Sequence, residues 1–283
     1  MELRRRFVFR GNAAAFGGRI VRPEDVVLEM PGASSLTIVG GRSTSTIPRT
    51  PASFKDFVVF ESAATLAEGT FDDLKGLIAL SNHAAREETL RASTRARAEI
   101  HKIAIGRKRR VSADRLIAEL RSHSPTASGE PPIRLGDVAI EGVRIDGFEL
   151  KVALEQTLFQ RYDTRAKILT AADDPDFVHK NSRHFLMTTE IAGPAPSWGR
   201  LVPGYETIYA TIVRSLEWRG QPNPRARIDH HSVIVDDFGT IFFGELFITS
   251  VSRRLTMMRL ELGSDEGGSA GGPEVDINGS WSP

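Results

Sequence analysis

The sequence contains no cysteine. This absence excludes disulfide bonds, thiol nucleophiles, iron–sulfur clusters and cysteine-ligated zinc sites. It also removes any sign of a small secreted scaffold that is held together by disulfides. A fold built from this chain must therefore rest on its apolar core, and 283 residues are enough to form one.

Neither an excess of one charge nor a long apolar run is present. The chain has 37 Lys+Arg against 36 Asp+Glu, so no overall field favours nucleic acid or an anionic membrane. No apolar run reaches the roughly 18 residues of a transmembrane helix. Near the N-terminus only Phe7, Val8 and Phe9 precede Arg10, which is too short for the apolar part of a secretory signal. We therefore expect a cytoplasmic protein without membrane insertion.

Short apolar runs separated by glycine and proline dominate the first 60 residues and return beyond residue 133. This pattern is typical of antiparallel strands. The pair Asp146-Gly147 predicts a β-hairpin. Residues 233–248 predict a central hairpin, in which we expect four apolar side chains to be buried: Phe242, Phe243, Leu246 and Phe247.

Between these β-rich parts the pattern predicts helices. Thr70 can cap a helix, apolar residues follow at helical spacing, and no glycine or proline occurs between Ser81 and Lys102. These features predict one long helix over about residues 70–104. Ser112 predicts the cap of a second, short helix, which would carry Leu116, Ile117 and Leu120.

The order of these elements predicts an α+β fold. We expect a predominantly antiparallel sheet, sandwich-like or two-layered, with one long and one short helix inserted between two β-rich parts. The predicted division is a β-rich segment with two helices (1–121), a linker rich in Ser, Pro and Gly (122–132), a second β-rich segment (133–263) and a flexible Gly-rich tail (264–283). Alternatively, all of these parts form one domain.

Two clusters of aspartate and histidine are candidates for a divalent-metal site, because mixed carboxylate and imidazole ligands suit zinc, manganese or iron. Asp229, His230 and His231 are consecutive, and Asp176 and His179 are three residues apart, as neighbours on a helix would be. If the clusters meet, Asp176, His179, Asp229 and His231 would form the centre of a metal-dependent hydrolase.

The triplet 229–231 also resembles the Asp-His-His signature of a family of manganese-dependent phosphoesterases. Membership of that family would imply upstream Asp-x-Asp pairs and alternating strands and helices. The nearby pair is Asp174 and Asp176, and the alternating pattern is missing. On a strand, moreover, His230 and His231 would face opposite sides. We therefore expect a polar hairpin start, with Asp236 and Asp237 at the turn, and no cofactor.

Basic residues outnumber acidic ones between residues 86 and 121, and the densest run is 106–110. A helix that carries Arg107, Lys108, Arg109 and Arg110 could lie on phosphates, which would indicate nucleic-acid binding. However, no aromatic residues interleave for base stacking, and no DNA-binding motif is present. The pattern therefore favours a solvated helix face over a nucleic-acid partner.

The function predicted from the sequence is that of a non-catalytic binding or assembly protein of unknown ligand. The strands over residues 239–262 are apolar on both faces, which predicts burial in the core or against a second copy through the sheet surface. The alternatives are a metal-dependent hydrolase and a nucleic-acid-binding protein.

Overall fold

In the computed structural model, the described residues are 6–22, 24–28, 30, 32–50, 57–72, 91–107, 110–125, 130–186, 207–263 and 267–282. The strands in chain order are β1 Arg6–Ala14, β2 Gly17–Ile20, β3 Val26–Leu28, β4 Ala33–Ser35, β5 Gly41–Ile47, β6 Val58–Val59, β7 Ser62–Phe71, β8 Arg91–Ile105, β9 Val111–Pro125, β10 Ile133–Leu135, β11 Ala139–Glu141, β12 Val143–Ile145, β13 Phe148–Leu154, β14 Ile208–Thr211, β15 Val213–Trp218, β16 Ala226–Asp229, β17 Ser232–Val235, β18 Gly239–Ile248, β19 Ser252–Leu262, β20 Gly268–Gly271 and β21 Glu274–Ser282. The helices are α1 Thr157–Arg161, α2 Arg165–Ala171 and α3 Pro175–Asn181, followed by a 3₁₀ helix at Ser182–His184.

These strands form two antiparallel sheets. The first sheet runs β16-β17-β18-β19-β20-β2-β3, with β14 beside β18, β21 between β19 and β1, and β4 beside β1. The second sheet runs β15-β13-β12-β9-β8-β7-β5, with β10 and β11 beside β9 and β6 beside β8. The prediction of a predominantly antiparallel sheet is confirmed.

The two sheets contact one another through their long strands. In the first sheet, β1, β19 and β21 lie against β7, β8 and β9 of the second. On β8 every second side chain from Ala92 to Ile100 is buried, and the residues between them are exposed or half-buried. The even-numbered residues of this stretch therefore face the core, and the odd-numbered residues face outward.

The predicted long helix over residues 70–104 is wrong in the part of it that the structure describes. Thr70 and Phe71 end β7, residues 91–104 lie in β8, and residues 73–90 lie outside the described residues. Alanine and arginine favour a helix by propensity. The apolar side chains, however, recur with the two-residue period of a half-buried strand, and β8 pairs with β9 along its length. Tertiary pairing therefore overrides propensity here.

The predicted second helix is also wrong, because Ser112, Leu116, Ile117 and Leu120 lie in β9. This strand continues to Pro125, so the first part of the predicted linker is a strand. Residues 126–129 of the linker lie outside the described residues, and β10 begins at Ile133. The described helices lie instead within residues 157–184, inside the second predicted β-rich part.

The Asp146-Gly147 hairpin is confirmed. Both residues have positive φ, 51° and 86°, as a type I′ turn requires, and Ile145 pairs with Phe148 across it. Asp237 also has a positive φ, 55°, in the turn between β17 and β18. The sequence therefore predicted both turns from residues that tolerate this backbone region.

Burial along β18 agrees with prediction only in part. Phe243 and Leu246 are fully buried, whereas Phe242 is half-buried and Phe247 is 39% exposed. The reason is Gly244, whose φ of 60° shifts the alternation of faces by one residue. Phe242, which precedes the glycine, and Phe247, which follows it, therefore both lie on the outward face of the first sheet.

The tail over residues 264–283, predicted to be poorly packed, contributes β20 and β21. The latter pairs with β1 on one side and β19 on the other. Val275 and Ile277 are fully buried. The prediction is therefore wrong over residues 268–282, because pairing with strands distant in sequence buries side chains that the local composition could not.

One apolar cluster contains residues from both predicted β-rich parts, including Ile100, Leu116, Phe243 and Met258. Both sheets thus contribute to the same core. Within the described ranges, no helix is long and apolar enough to cross a membrane.

Candidate functional site

The predicted hairpin start at Asp229 is itself a tight turn. Asp229 ends β16 and pairs with Ser232 of β17, and His230 and His231 lie between them. His230 has a φ of 58°, and its Nδ1 lies 3.3 Å from Nδ1 of His231. The prediction that His230 and His231 lie on a strand and face opposite sides is therefore wrong. The turn leaves Asp229 exposed and His231 buried.

Asp176 and His179 lie on α3, whose first turn is capped by Asp174. The carboxylate of Asp174 accepts a hydrogen bond of 2.9 Å from the backbone N–H of Asp176. Asp176 and His179 are exposed and half-buried, respectively. Across the described residues, no group of three or more His, Asp or Glu side chains could hold a metal ion.

His184 ends the 3₁₀ helix that follows α3. It is buried, and its Nδ1 lies 3.1 Å from the backbone carbonyl oxygen of Thr211. Burial lowers the pKa of His230, and Arg183 and the neighbouring imidazoles of His231 and His184 lower it further. His230 is therefore neutral at neutral pH.

Glu245 of β18 is the centre of a buried ionic cluster. Its carboxylate accepts two hydrogen bonds from Arg259, from Nε at 2.5 Å and from Nη2 at 2.7 Å. The hydroxyl of Tyr209 donates to the same carboxylate. Nε2 of His231 lies 3.7 Å away and has no hydrogen-bond partner among the described residues. Arg259 also lies over the ring of Phe242, 4.0 Å from its centroid.

The electrostatics of this cluster favour a structural role. Burial alone would raise the pKa of Glu245, but Arg259, His231 and Tyr209 outweigh burial and lower it to about 2. Burial and the hydrogen bond to Glu245 raise the pKa of Tyr209. At neutral pH the carboxylate is therefore ionised and the phenol protonated, so neither group is poised to exchange a proton.

Three arginines on adjacent strands of the second sheet form what we call the arginine row. Arg95 of β8 lies directly opposite Arg121 of β9, which in turn lies opposite Arg134 of β10. Directly opposed residues have Cβ atoms about 5 Å apart, and like charges at this distance destabilise a sheet. The row therefore requires negative charge nearby.

Glu119, two residues before Arg121 on β9, supplies part of that negative charge. Its Oε1 accepts hydrogen bonds from Nε of Arg95 at 2.8 Å and from Nε of Arg121 at 2.5 Å. Its Oε2 accepts one from Nη1 of Arg97 at 3.0 Å. Burial opposes ionisation, but these hydrogen bonds outweigh it and lower the pKa of Glu119. One fully buried carboxylate thus orients three guanidinium groups.

Arg134 has its own partner at the other end of the row. Its Nε donates to Oδ2 of the buried Asp163 at 2.9 Å, and Lys167 donates to Oδ1 of the same carboxylate. The carboxylate of Asp163 therefore accepts hydrogen bonds from two cationic side chains. Arg97, the third cation on Glu119, also donates to Glu99 and Asp137, so the excess of positive charge lies at Arg95 and Arg121, which share Glu119.

A pocket of about 720 Å³ opens over the arginine row. All three arginines line it, with Glu68, Ser93, His123, Pro132 and Gln160 among the other lining residues. Its volume lies within the roughly 300–1,000 Å³ of small-molecule sites. The second sheet, its β10 extension and α1 thus form a concave surface with a cationic floor.

Ser93 and His123 line this pocket and lie beside Asp72, but the three do not form a nucleophilic triad. Ser93 Oγ donates to Asp72 Oδ1 at 2.7 Å and lies 2.9 Å from Nδ1 of His123. In a catalytic triad the serine proton goes to the histidine. Here it goes to the carboxylate, so His123 can only donate to Ser93. The arrangement provides polar groups rather than an activated nucleophile.

Of the four residues predicted to contact nucleic acid, the structure describes Arg107 and Arg110. Nε and Nη2 of Arg110 donate to the carboxylate of Asp146 at 2.7 and 2.8 Å, and its guanidinium lies over the ring of Phe238. Arg107 is exposed beyond the end of β8. Lys108 and Arg109 lie outside the described residues. Arg110 is thus engaged within the protein.

A comparison with protein families gives one match: a domain of unknown function (DUF8256), over residues 7–249. The chain belongs to the DUF8256 family. The match includes the whole arginine row and every residue that lines the pocket, and it ends just after β18. No curated protein matches the chain, and no solved structure does.

The arginine row of this DUF8256 chain was visible in the sequence only as a two-residue period. Arg95 and Arg97 alternate with buried alanines, and Glu119 and Arg121 alternate in the same way. In a helix, these charged side chains would lie on different faces. As paired strands, the stretch brings them to one face. This alternation is the sequence signal that could have identified the row. The register that aligns the three strands could not be predicted from the sequence.

Proposed function

We propose that the protein is a non-catalytic binding protein whose ligand carries negative charge and occupies the pocket over the arginine row. One observation carries the proposal: Arg95 and Arg121 face each other on adjacent strands and share a single oxygen of Glu119. The carboxylate neutralises at most one of the two cations. An anionic ligand would remove the remaining like-charge repulsion.

The two alternative functions have less support. For a metal-dependent hydrolase, the described residues offer no cluster of ligands. For a nucleic-acid partner through residues 107–110, Arg110 is already held by Asp146. The cationic surface favoured here is a different one, and it lies in a pocket of small-molecule size.

Self-association through the sheet surface remains a prediction, as does a cytoplasmic location. The apolar strands that suggested a second copy are β18 and β19. Most of their apolar side chains, such as Phe243, Leu255 and Met258, are buried within the chain itself. This burial accounts for the pattern without a partner.

The test of the proposed function is thermal stabilisation by anions at constant ionic strength. Phosphate, sulfate, malonate and citrate would be titrated against chloride as the reference ion, because a ligand that binds only the folded state raises the melting temperature. We expect saturable stabilisation by at least one of these anions and its loss in Arg121→Gln. Arg115→Gln is the matched control: Arg115 also lies on β9 and donates through Nε to a carboxylate, that of Glu99, but it lies outside the pocket. Stabilisation that is equal in the wild type and in Arg121→Gln would contradict the proposal.

A further inference from the structure

We infer that the anionic group of the ligand is a single tetrahedral oxyanion, the phosphoryl group of a small phosphomonoester. This inference rests on the proposed function and specifies its ligand. It follows from which donors of the arginine row are used, from how the acidic residues bound the row, and from the size of the pocket.

The first step concerns the hydrogen-bond donors. Arg95 and Arg121 each use only Nε on Glu119, and across the described residues their Nη atoms make no hydrogen bond. A guanidinium presents several N–H donors in a planar fork. Because Glu119 fixes both groups through Nε, the Nη protons of two neighbouring forks remain available, and both arginines line the same pocket.

The second step concerns the shape of the anion. A carboxylate carries one negative charge and offers two oxygens in one plane, and one such group, Glu119, already lies between the two guanidinium groups. A phosphoryl group has three terminal oxygens arranged around phosphorus, so it can accept from two forks at once. Since Arg95 and Arg121 stand directly opposite each other, with Cβ atoms about 5 Å apart, their forks are spaced to share one centre. The paired arginines therefore favour a tetrahedral group.

The third step concerns the number of phosphoryl groups. Acidic side chains bound the row at both ends. Glu68 of β7 lies directly opposite Arg95 and lines the pocket, and Asp163 holds Arg134. A polyanion that extended along the row would meet these carboxylates, which would weaken its binding. The available charge thus suits one phosphoryl group rather than a nucleic-acid backbone.

The fourth step concerns the rest of the ligand. The pocket volume of about 720 Å³ exceeds the needs of a free phosphate ion. Ser93 and Gln160 offer polar groups to the remainder of a ligand, and Pro132 offers an apolar contact. A phosphorylated polar molecule, such as a sugar phosphate, would fill the pocket better than the inorganic ion.

The experiment is isothermal titration calorimetry of the full chain at constant ionic strength with four probes. These are inorganic phosphate, glucose 6-phosphate, malonate and a single-stranded oligodeoxynucleotide without terminal phosphates. We expect both phosphate probes to bind and to compete with each other, the ester more tightly than the ion. Arg95→Gln and Arg121→Gln should each weaken phosphate binding about ten- to a hundredfold, as the loss of a charged hydrogen-bond pair predicts. Arg115→Gln should leave it within about twofold.

The outcomes separate this inference from the proposed function. If malonate binds at least as tightly as phosphate and its binding is lost in Arg121→Gln, the anion pocket stands and the phosphoryl inference is overturned. If the oligonucleotide binds more tightly than both phosphate probes, the single-group argument is overturned. If no probe binds, or if Arg115→Gln weakens binding as much as Arg121→Gln, the pocket assignment and the proposed function both fail.

Discussion

Arg253, buried in β19, donates a hydrogen bond of 2.7 Å from Nη2 to the backbone carbonyl of Tyr162, the C-cap residue that follows α1. Its Nη1 donates to the carbonyl of Phe159 at 3.3 Å. Burial lowers the pKa of Arg253 to about 10, which still leaves it charged at neutral pH. The final carbonyls of a helix have no partners within it. Arg253 therefore satisfies these groups and holds α1, which carries Gln160 to the pocket.

We predict that Arg253→Ala lowers the free energy of unfolding by about 2–4 kcal/mol, because one buried and one partly buried carbonyl lose a charged donor. Arg254→Ala is the matched control, since Arg254 is the next residue, is about half exposed, and among the described residues makes only long ion pairs, with Glu274 and Asp276. Its loss should cost less than about 1 kcal/mol. Urea denaturation measures both values. Equal effects of the two variants would contradict this role of Arg253.

Two phenylalanines on β18 test the shift of faces at Gly244. Phe243 is fully buried and Phe247 is 39% exposed. We expect Phe243→Ala to cost about 3–5 kcal/mol, the range for a truncated buried aromatic residue. Phe247→Ala should cost clearly less, because it loses mainly its contact with the ring of Tyr209. A larger loss for Phe247→Ala in urea melts would show that the faces are assigned incorrectly.

Truncation after Gly263 should prevent stable folding. It removes β21, which lies between β1 and β19 and buries Val275 and Ile277 in the core. The single variant Ile277→Ala should already cost about 2–5 kcal/mol. Circular dichroism melts of both variants test this expectation. A truncated chain that melts within a few degrees of the full chain would contradict the packing of β21.

The buried Glu245 makes stability depend on acid pH. Its folded-state pKa, about 2, lies below its ordinary value of 4.5. The stability that it contributes is therefore fully present above about pH 4.5 and is lost as the pH falls towards 2. The difference corresponds to about 3 kcal/mol. Glu245→Gln should lose this contribution, so its stability should fall less than that of the wild type between pH 5 and pH 2.

The control for this pH effect is Glu61→Gln, which removes an exposed ion pair with Lys102. Between pH 5 and pH 2 its free energy of unfolding should change about as much as that of the wild type. Free energies of unfolding would be measured in urea across this pH range. If Glu245→Gln followed the wild-type curve, the carboxylate would not be held in its ionised form as described.

The sequence predicted local features of the fold better than distant pairings. The Asp146-Gly147 turn depends on two residues with positive φ, so it was readable from those residues alone. The sequence of the β8–β9 ribbon predicts a helix because alanine and arginine have high helix propensity, while the alternation that opposes a helix needs a partner strand to take effect. The role of β21 depends on β1, which lies at the other end of the chain.

The candidate site was less predictable than the fold for the same reason. Asp229, His230 and His231 drew attention because they are adjacent in sequence, yet adjacency on a tight turn does not converge three side chains on one ion. The arginine row comes from three strands, and only their register places Arg95, Arg121 and Arg134 side by side. The buried Glu119 gave no sequence signal of its own, because its burial follows from the arginines above it.

The most direct test of anion binding over the arginine row is to locate the bound anion by NMR of arginine side chains. The Nε–Hε signals would be assigned with Arg95→Gln, Arg121→Gln and Arg115→Gln, and phosphate would be titrated at constant ionic strength. The signals of Arg95 and Arg121 should shift along one saturable curve with a common Kd, while those of Arg115 and the buried Arg253 stay in place. Shifts that grow in parallel for all exposed arginines without saturation, or no shift at Arg95 and Arg121, would contradict the account.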